Sequence, residues 1–451
     1  MLFGIGRVGL GLCLAVLGFA APALADGPDQ NGITAPSIAT SLPDNGDPTG
    51  MRKWLASHGI TYNFIYTNDL LANVSGGLRR GTVDQGKLEY NMTVDLEKLA
   101  NWQGLSFYAN VFQIHNTGRI RRDYVGGINT IAAIEAVPAT RLSELWLEQK
   151  FWDGKASVRA GQLAADSEFF FSSLSFMFLQ SDWATITAAN LPSGGPAYPL
   201  STPGVRFKAD PNANVSLLLA VFNGDPAGPG NGDEQLRNRY GLNFRVRDPA
   251  LVIAEAQFRA NQGKDDTGLA RALKLGAWGH FGDFNDLRFG NDGTLLGATA
   301  GTGVPATRQG NFGLYGVIEQ QLYRPAGGAA DSGVSVFSRV SFSPSDRNLI
   351  DFFVDGGLVF AGMVPGRPDD KFGASFMYAR FSDSVRSFDL DRILSGTPGF
   401  VRDFEANLEL SYSATMVPGW TMQPVLTYVW HPAGDASRNA IVTGVRSIWL
   451  F

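Results

Sequence analysis

Cysteine is all but absent. Cys13 is the only one, and it sits in an N-terminal segment with the marks of a secretory signal: Arg7, an apolar stretch from Val8 to Ala21, and Ala23, Leu24 and Ala25 ahead of Asp26. Cleavage after Ala25 is expected, giving a signal peptide at 1–25. The mature chain then has no thiol, which excludes disulfides and cysteine metal sites. Histidine is scarce as well. His58, His115, His280 and His431 form no H-E-x-x-H pattern, and no two are close enough in sequence to suggest a metal pair. G-x-S-x-G and Walker A motifs are missing too. No catalytic residue, metal site or cofactor is expected, and the composition weighs against an enzyme. Long apolar runs are missing, and the mean hydropathy of −0.04 excludes a helical multi-span protein. The net charge of −5, made slightly more negative by loss of Arg7, argues against nucleic acid as a partner. Lysine is rare beside arginine. A phosphate channel would sooner use clustered lysines, whereas the planar five-donor fork of arginine spans adjacent hydroxyls. Genomic base composition is an alternative source of that bias.

What is present is glycine, 54 residues, and aromatics at 12%. Both suit a transmembrane β-barrel with many turns and interfacial girdles. Residues 88–96 alternate strictly: Leu88, Tyr90, Met92, Val94 and Leu96 on one face, Glu89, Asn91, Thr93 and Asp95 on the other. A helix would mix the two sets, so the segment reads as a strand. Residues 404–412 repeat the pattern with Glu405, Asn407, Glu409 and Ser411 as the wet face. In 239–247, Tyr240, Leu242, Phe244 and Val246 point outward and Arg239, Asn243, Arg245 and Arg247 inward; in 252–259, Ala254, Ala256 and Phe258 oppose Glu255, Gln257 and Arg259. Further strands are expected at 61–71, 105–114, 142–151, 155–163, 203–209, 215–222, 271–281, 311–321, 334–342, 349–361, 371–381, 420–430 and 441–451. The tally is seventeen, but single-chain bacterial barrels have an even number. Sixteen is the expected count, with the surplus or missing strand placed between 261 and 348.

The longest connection, 164–202, holds Phe169, Phe170, Phe171, Phe176, Phe178, Trp183 and a Pro/Gly-rich run from Leu191 to Pro199. So long a loop is usually functional, and the expectation is that it folds into the lumen as a constriction. An external loop packed on its own aromatics is the alternative. Ahead of the first strand, 47–59 reads as a short periplasmic helix capped by Asp47 and ended by Gly59. The expected organisation is a flexible segment with this helix at 26–60 and an outer-membrane β-barrel at 61–451. Phe451 ends a strand whose alternate positions Trp449, Ser447, Val445, Thr443 and Ile441 are mostly apolar. Such an ending suits a bacterial outer-membrane barrel, with pairing of 441–451 to the first strand near Tyr62 to Leu70 closing the ring.

Seven segments in order resemble the carbohydrate-selective porins of the outer membrane, the OprB family. The first three are Ser75-Gly-Gly-Leu-Arg-Arg-Gly81, Asp95-Leu-Glu-Lys-Leu99 with Trp102-Gln-Gly104, and Arg141-Leu-Ser-Glu-Leu-Trp-Leu-Glu-Gln149. The next two are Arg159-Ala-Gly-Gln-Leu-Ala-Ala-Asp-Ser-Glu-Phe169 and Pro203-Gly-Val-Arg-Phe207. Ala220-Val-Phe-Asn-Gly-Asp-Pro226 and Gly313-Leu-Tyr-Gly-Val-Ile-Glu-Gln320 complete the set. The resemblance implies a sixteen-stranded barrel that passes glucose and related sugars passively through an arginine-lined constriction. It also implies an outer-membrane location and recognition of the strand ending in Phe451 by the barrel-assembly machinery. A channel for other small solutes, such as organic anions, is the alternative.

The residues themselves offer lumen-phase candidates near the long loop: Glu144, Trp146 and Glu148; Arg159, Gln162, Asp166 and Glu168; Arg206; and Glu255, Gln257 and Arg259. Charged and amide side chains beside aromatic rings suit a sugar, which is apolar on its C–H face and rimmed by hydroxyls. Asp166 and Glu168 have a second reading, as carboxylates that brace the loop against wall arginines. Expected partners are small sugars, membrane lipid and lipopolysaccharide; monomer and homotrimer both remain open.

Overall fold

The computed structural model describes residues 28–451 apart from 182, 264 and 265; the expected signal segment 1–25 lies outside the described residues. The first half of the chain holds β1 (Ile60–Gly76), β2 (Gly81–Asp95), β3 (Leu105–Asn116), β4 (Ala139–Phe151), β5 (Ala156–Leu163), β6 (Thr202–Asn212), β7 (Val215–Asn223) and β8 (Ala250–Ala260). The second half holds β9 (Arg271–Gly290), β10 (Pro305–Tyr323), β11 (Gly333–Phe342), β12 (Ile350–Ala361), β13 (Lys371–Phe381), β14 (Phe404–Val417), β15 (Trp420–Trp430) and β16 (Asn439–Leu450). Each strand pairs with its sequence neighbours and β1 pairs with β16, which makes a closed antiparallel barrel of sixteen strands. Every ladder hydrogen bond is thereby satisfied around the ring, the condition a sheet must meet in lipid.

Alternation decides which way each strand faces. On β8, Ala254, Ala256 and Phe258 are exposed while Glu255 and Gln257 are buried. On β14, Glu405, Asn407 and Glu409 have no accessible surface, whereas Leu410 is exposed. Polar side chains are inside and apolar ones outside, the reverse of a water-soluble sheet and the pattern a bilayer imposes.

The ring closes where expected. Phe64 and Phe451 exchange main-chain hydrogen bonds at 3.2 and 2.9 Å, and the ladder continues from Ile65 opposite Leu450 to Gly76 opposite Ala440. Inside the seam Asp69 stands opposite Arg446, and the guanidinium donates to both carboxylate oxygens at 2.6 and 2.8 Å. Outside it, Trp449 stacks on Trp420 at 4.5 Å. The expected N-terminal helix forms at Met51–Ser57, with Gly50 rather than Asp47 at its N-cap. Gly50 has φ +68°, so the helix starts after it, and Asp47 accepts from Lys53 N at 3.0 Å from outside the first turn. Ser37, upstream, donates to Leu450 O and seats this segment at the end of the barrel that carries the termini.

One expected strand is not a strand, and the parity error lies there rather than between 261 and 348. Residues 239–247 stay out of the ladder and belong to the connection between β7 and β8. Tyr240 O accepts from Leu142 N on β4, and Gly241 O accepts from the Gln162 side chain on β5. The alternation was real: Tyr240, Leu242, Phe244 and Val246 are all exposed. It arises because this segment lies along the rim with protein on one side, without crossing the membrane.

Candidate functional site

The turn between β4 and β5 sets a register that places Glu148 opposite Arg159, and the β5–β6 register places Arg159 opposite Arg206. Three charged side chains thus form a row across three strands on the lumen face. Two guanidinium groups side by side would repel. Here Glu148 lies between them, with contacts of 3.0 Å to each arginine. Glu168, from the start of the long loop, closes the set: its carboxylate reaches Arg206 Nε at 2.6 Å and also pairs with Arg159. Two arginines and two glutamates make a cluster without net charge.

Trp146 lies one pleat along β4 on the same face. Its ring stacks on Tyr108 of β3 at 4.8 Å, and the Arg159 guanidinium lies 3.8 Å from its centroid. This arrangement combines area burial with a cation–π contact. Glu144, one pleat further, accepts a hydrogen bond from Ala164 N at 3.2 Å. Within the cluster, Glu148 and Arg206 are almost sealed; Arg159 and Glu168 keep 12% and 17% of their side-chain surface accessible and are its most open members.

The other expected residues sit elsewhere. Gln162 donates to Ser143 O and Gly241 O and so clamps the rim segment instead of facing open lumen. Glu255, Gln257 and Arg259 form their own chain along β8, Arg259 donating to Gln257 and Gln257 to Glu255. They do not join the β4–β6 cluster. Asp166 accepts from Tyr198 N at 2.8 Å, and burial pushes its carboxyl up to about 6. With Phe170, Phe171, Phe176, Trp183 and Arg339 it lines a small pocket in the folded loop. The rings of Phe171 and Phe176 stack at 5.9 Å, and Lys274 Nζ lies 3.5 Å from the Phe171 centroid.

The loop 164–201 crosses the lumen as expected, and the wall holds it by a repeated device that the sequence did not reveal. Wall glutamates accept hydrogen bonds from its main-chain amides. Glu255 takes Phe170 N at 2.9 Å, Glu319 takes Ser173 N at 2.5 Å, and Glu409 takes Leu179 N and Gln180 N at 2.8 and 2.9 Å. Tyr315 completes the first of these, donating its hydroxyl to Glu255 while its ring stacks on Phe170 at 4.2 Å. A carboxylate that accepts amide hydrogens compensates for its own burial and satisfies loop groups that would otherwise be orphaned. A second loop, 117–138, also turns inward: Glu405 receives Ile128 N, Asn129 N and Ala433 N, and Ala133 N donates to Leu179 O of the longer loop. Glu405 and Glu409 were legible as wet-face positions only, and Glu319 only as part of the segment Gly313–Gln320. Among the described residues no three His, Cys, Asp or Glu side chains are grouped to hold a metal ion.

The arrangement is a lumen narrowed by two tethered loops, with a charge-balanced, hydrogen-bonding wall on one side and aromatic rings in the loop. Residues 79–451 match the family model described as carbohydrate-selective porin, OprB family. The chain is 24% identical over 432 residues to Porin B of Pseudomonas aeruginosa, covering 90% of each protein. The high-pH structure of Pseudomonas putida OprB superposes with a TM-score of 0.80 at 20% identity, covering 90% of this chain and 98% of that one. The low-pH structure of the same protein gives 0.54 at 17% identity. At these identities the two structures establish the shared fold.

Proposed function

The chain belongs to the OprB family of carbohydrate-selective porins, and from that premise we propose that sugar passes its constriction by touching Arg159 and Glu168 on the wall side and the aromatic rings of the loop on the other. The protein is a passive channel of the bacterial outer membrane, selective for carbohydrates. The observation that carries the proposed site is the neutral Arg159–Arg206–Glu148–Glu168 cluster. Its charges are matched, so it offers a neutral solute strong donors and acceptors without holding an ion. Guanidinium and carboxylate together can donate to and accept from adjacent hydroxyls, while a ring such as Phe171 can take the C–H face of a pyranose. Weak binding is required, because the solute must leave. Barrel-assembly recognition of the strand ending in Phe451 is part of the same reading.

Purified protein in planar bilayers should conduct ions, and glucose should reduce that current at millimolar concentration, the range of a weak site. Arg159→Ala should leave the channel conducting and weaken the glucose block roughly tenfold, the scale of a lost hydrogen bond to a charged group. Unchanged block would remove Arg159 from the site. A current blind to every sugar, with anions favoured over cations, would instead support a channel for organic anions.

A further inference from the structure

The rim segment 239–247 supplies no side chain to the Arg159–Arg206–Glu148–Glu168 cluster. It is anchored at one end by Leu142 N, on β4, to Tyr240 O, and at the other by covalent continuity with Ala250, the first residue of β8. β4 and β8 are four strands apart in the ring, about 19 Å at the usual strand spacing of about 4.8 Å. The segment therefore runs across the tops of β5, β6 and β7 as a belt around the barrel. Those three strands are short, of 8, 11 and 9 residues, so the belt completes the wall where the ladder stops early.

The belt lies at the outer rim. Both termini are at the opposite end, together with the short turns at 152–155 and 213–214, while 117–138, 164–201 and 224–249 share the belt's end. Long loops mark the external side of such barrels. The surface the belt presents has two parts. Tyr240, Leu242, Phe244 and Val246 are 59, 62, 49 and 79% exposed, more apolar surface than water would favour at four alternate positions. Arg239 and Arg247 flank them and are also exposed. Arg245 differs: it is tied to Asp248 at 2.5 and 2.7 Å. Among the described residues Arg239 donates only to Pro138 O at 3.1 Å, and Arg247 forms no ion pair or hydrogen bond.

We infer that this belt is a docking edge for lipopolysaccharide, with acyl chains against Leu242, Phe244 and Val246 and the lipid A phosphates on Arg239 and Arg247. The charge is complementary: two exposed guanidinium groups flank an exposed apolar row, as phosphates flank acyl chains in the lipid. Guanidinium pairs with phosphate through two parallel hydrogen bonds, and a tyrosine at the interface suits an aromatic girdle. The partner is the phosphorylated lipid itself.

The full mature protein, extracted in detergent, would be incubated with bis-phosphorylated lipid A or with the same lipid stripped of phosphate, and retained lipid weighed by native mass spectrometry. The protein should retain the phosphorylated form, and a variant carrying Arg239→Gln and Arg247→Gln should retain at least fivefold less of it. Glucose block should be the same in both, since among the described residues Arg239 donates only to the last residue of loop 117–138 and neither arginine pairs with the Arg159–Arg206–Glu148–Glu168 cluster; this separates the belt from the sugar reading. Equal retention by the variant, or equal retention of the phosphate-free lipid, would overturn the inference. So would loss of an oligomer in the variant with lipid retention unchanged, which would make the belt an interface between copies.

Discussion

Asp166 begins the turn that sends the long loop into the lumen, and its carboxylate holds Tyr198 N from the far end of the same loop. One side chain therefore pins both ends together. Burial raises its pKa to about 6, against the opposing pull of that amide and of Lys87. A carboxyl whose folded pKa exceeds its unfolded value binds its proton more tightly when folded. Its contribution to stability is complete below about pH 4 and is lost as pH rises through 6, of the order of 3 kcal/mol in all. Loop protection should accordingly fall between pH 4 and pH 7, read as faster amide hydrogen exchange in 164–201, and Asp166→Asn should flatten that profile. A variant with the same pH dependence as the parent would mean another group titrates. Glu168, two residues on, is placed differently, between the guanidinium groups of Arg159 and Arg206.

At the scale of elements, the seam between β1 and β16 shows what closure requires. Asp69 has no accessible surface, and among the described residues its only cation is Arg446 from the other end of the chain. Arg446→Leu leaves a buried carboxylate unpaired, at a cost of about 3–5 kcal/mol. The expected readout is a lower temperature for loss of the folded-barrel band when samples heated in steps are run by electrophoresis, with glucose block preserved in barrels that do close; an unchanged transition would show that the pair is not needed. The strands were readable because lipid outside and polar groups inside impose a period of two on every one of them. That same physics acted on 239–247, where Tyr240, Leu242, Phe244 and Val246 meet the outside without crossing it, so pattern alone could not tell belt from strand. Trp146, Glu148 and Arg159 were legible as lumen residues from phase. That Glu148, Arg159 and Arg206 stand in one row was not, because register depends on turns and bulges that leave little trace in a single sequence. The inward course of 117–138 was invisible for a stricter reason: its anchors are Ile128 N and Asn129 N, and every residue but proline has an amide.

Taken as one object, the molecule is a rigid ring that holds two loops across its own bore. Glu405 and Glu409 are the tethers on the wall farthest from where the long loop leaves β5, and they secure one loop each. Replacing both by alanine leaves five main-chain amides without their acceptor, at about 1–3 kcal/mol for each one that stays dry. The loops should then leave the bore: single-channel conductance should rise severalfold and the glucose block should weaken, while the barrel stays folded. Conductance equal to that of the parent would show that packing alone keeps the loops in place. The division of labour at these tethers has a further result. At Glu405 and Glu409 the ring contributes the carboxylates and the loops contribute main-chain amides, so no particular loop side chain is required at those two points, whereas at Glu319 the Ser172 and Ser173 hydroxyls donate as well. The loop is in that sense an interchangeable insert. A different set of side chains at positions that bind the wall through their amides alone, such as Leu179, could be seated on the same glutamate, and the permeant solute could change while the scaffold that carries it stays as it is.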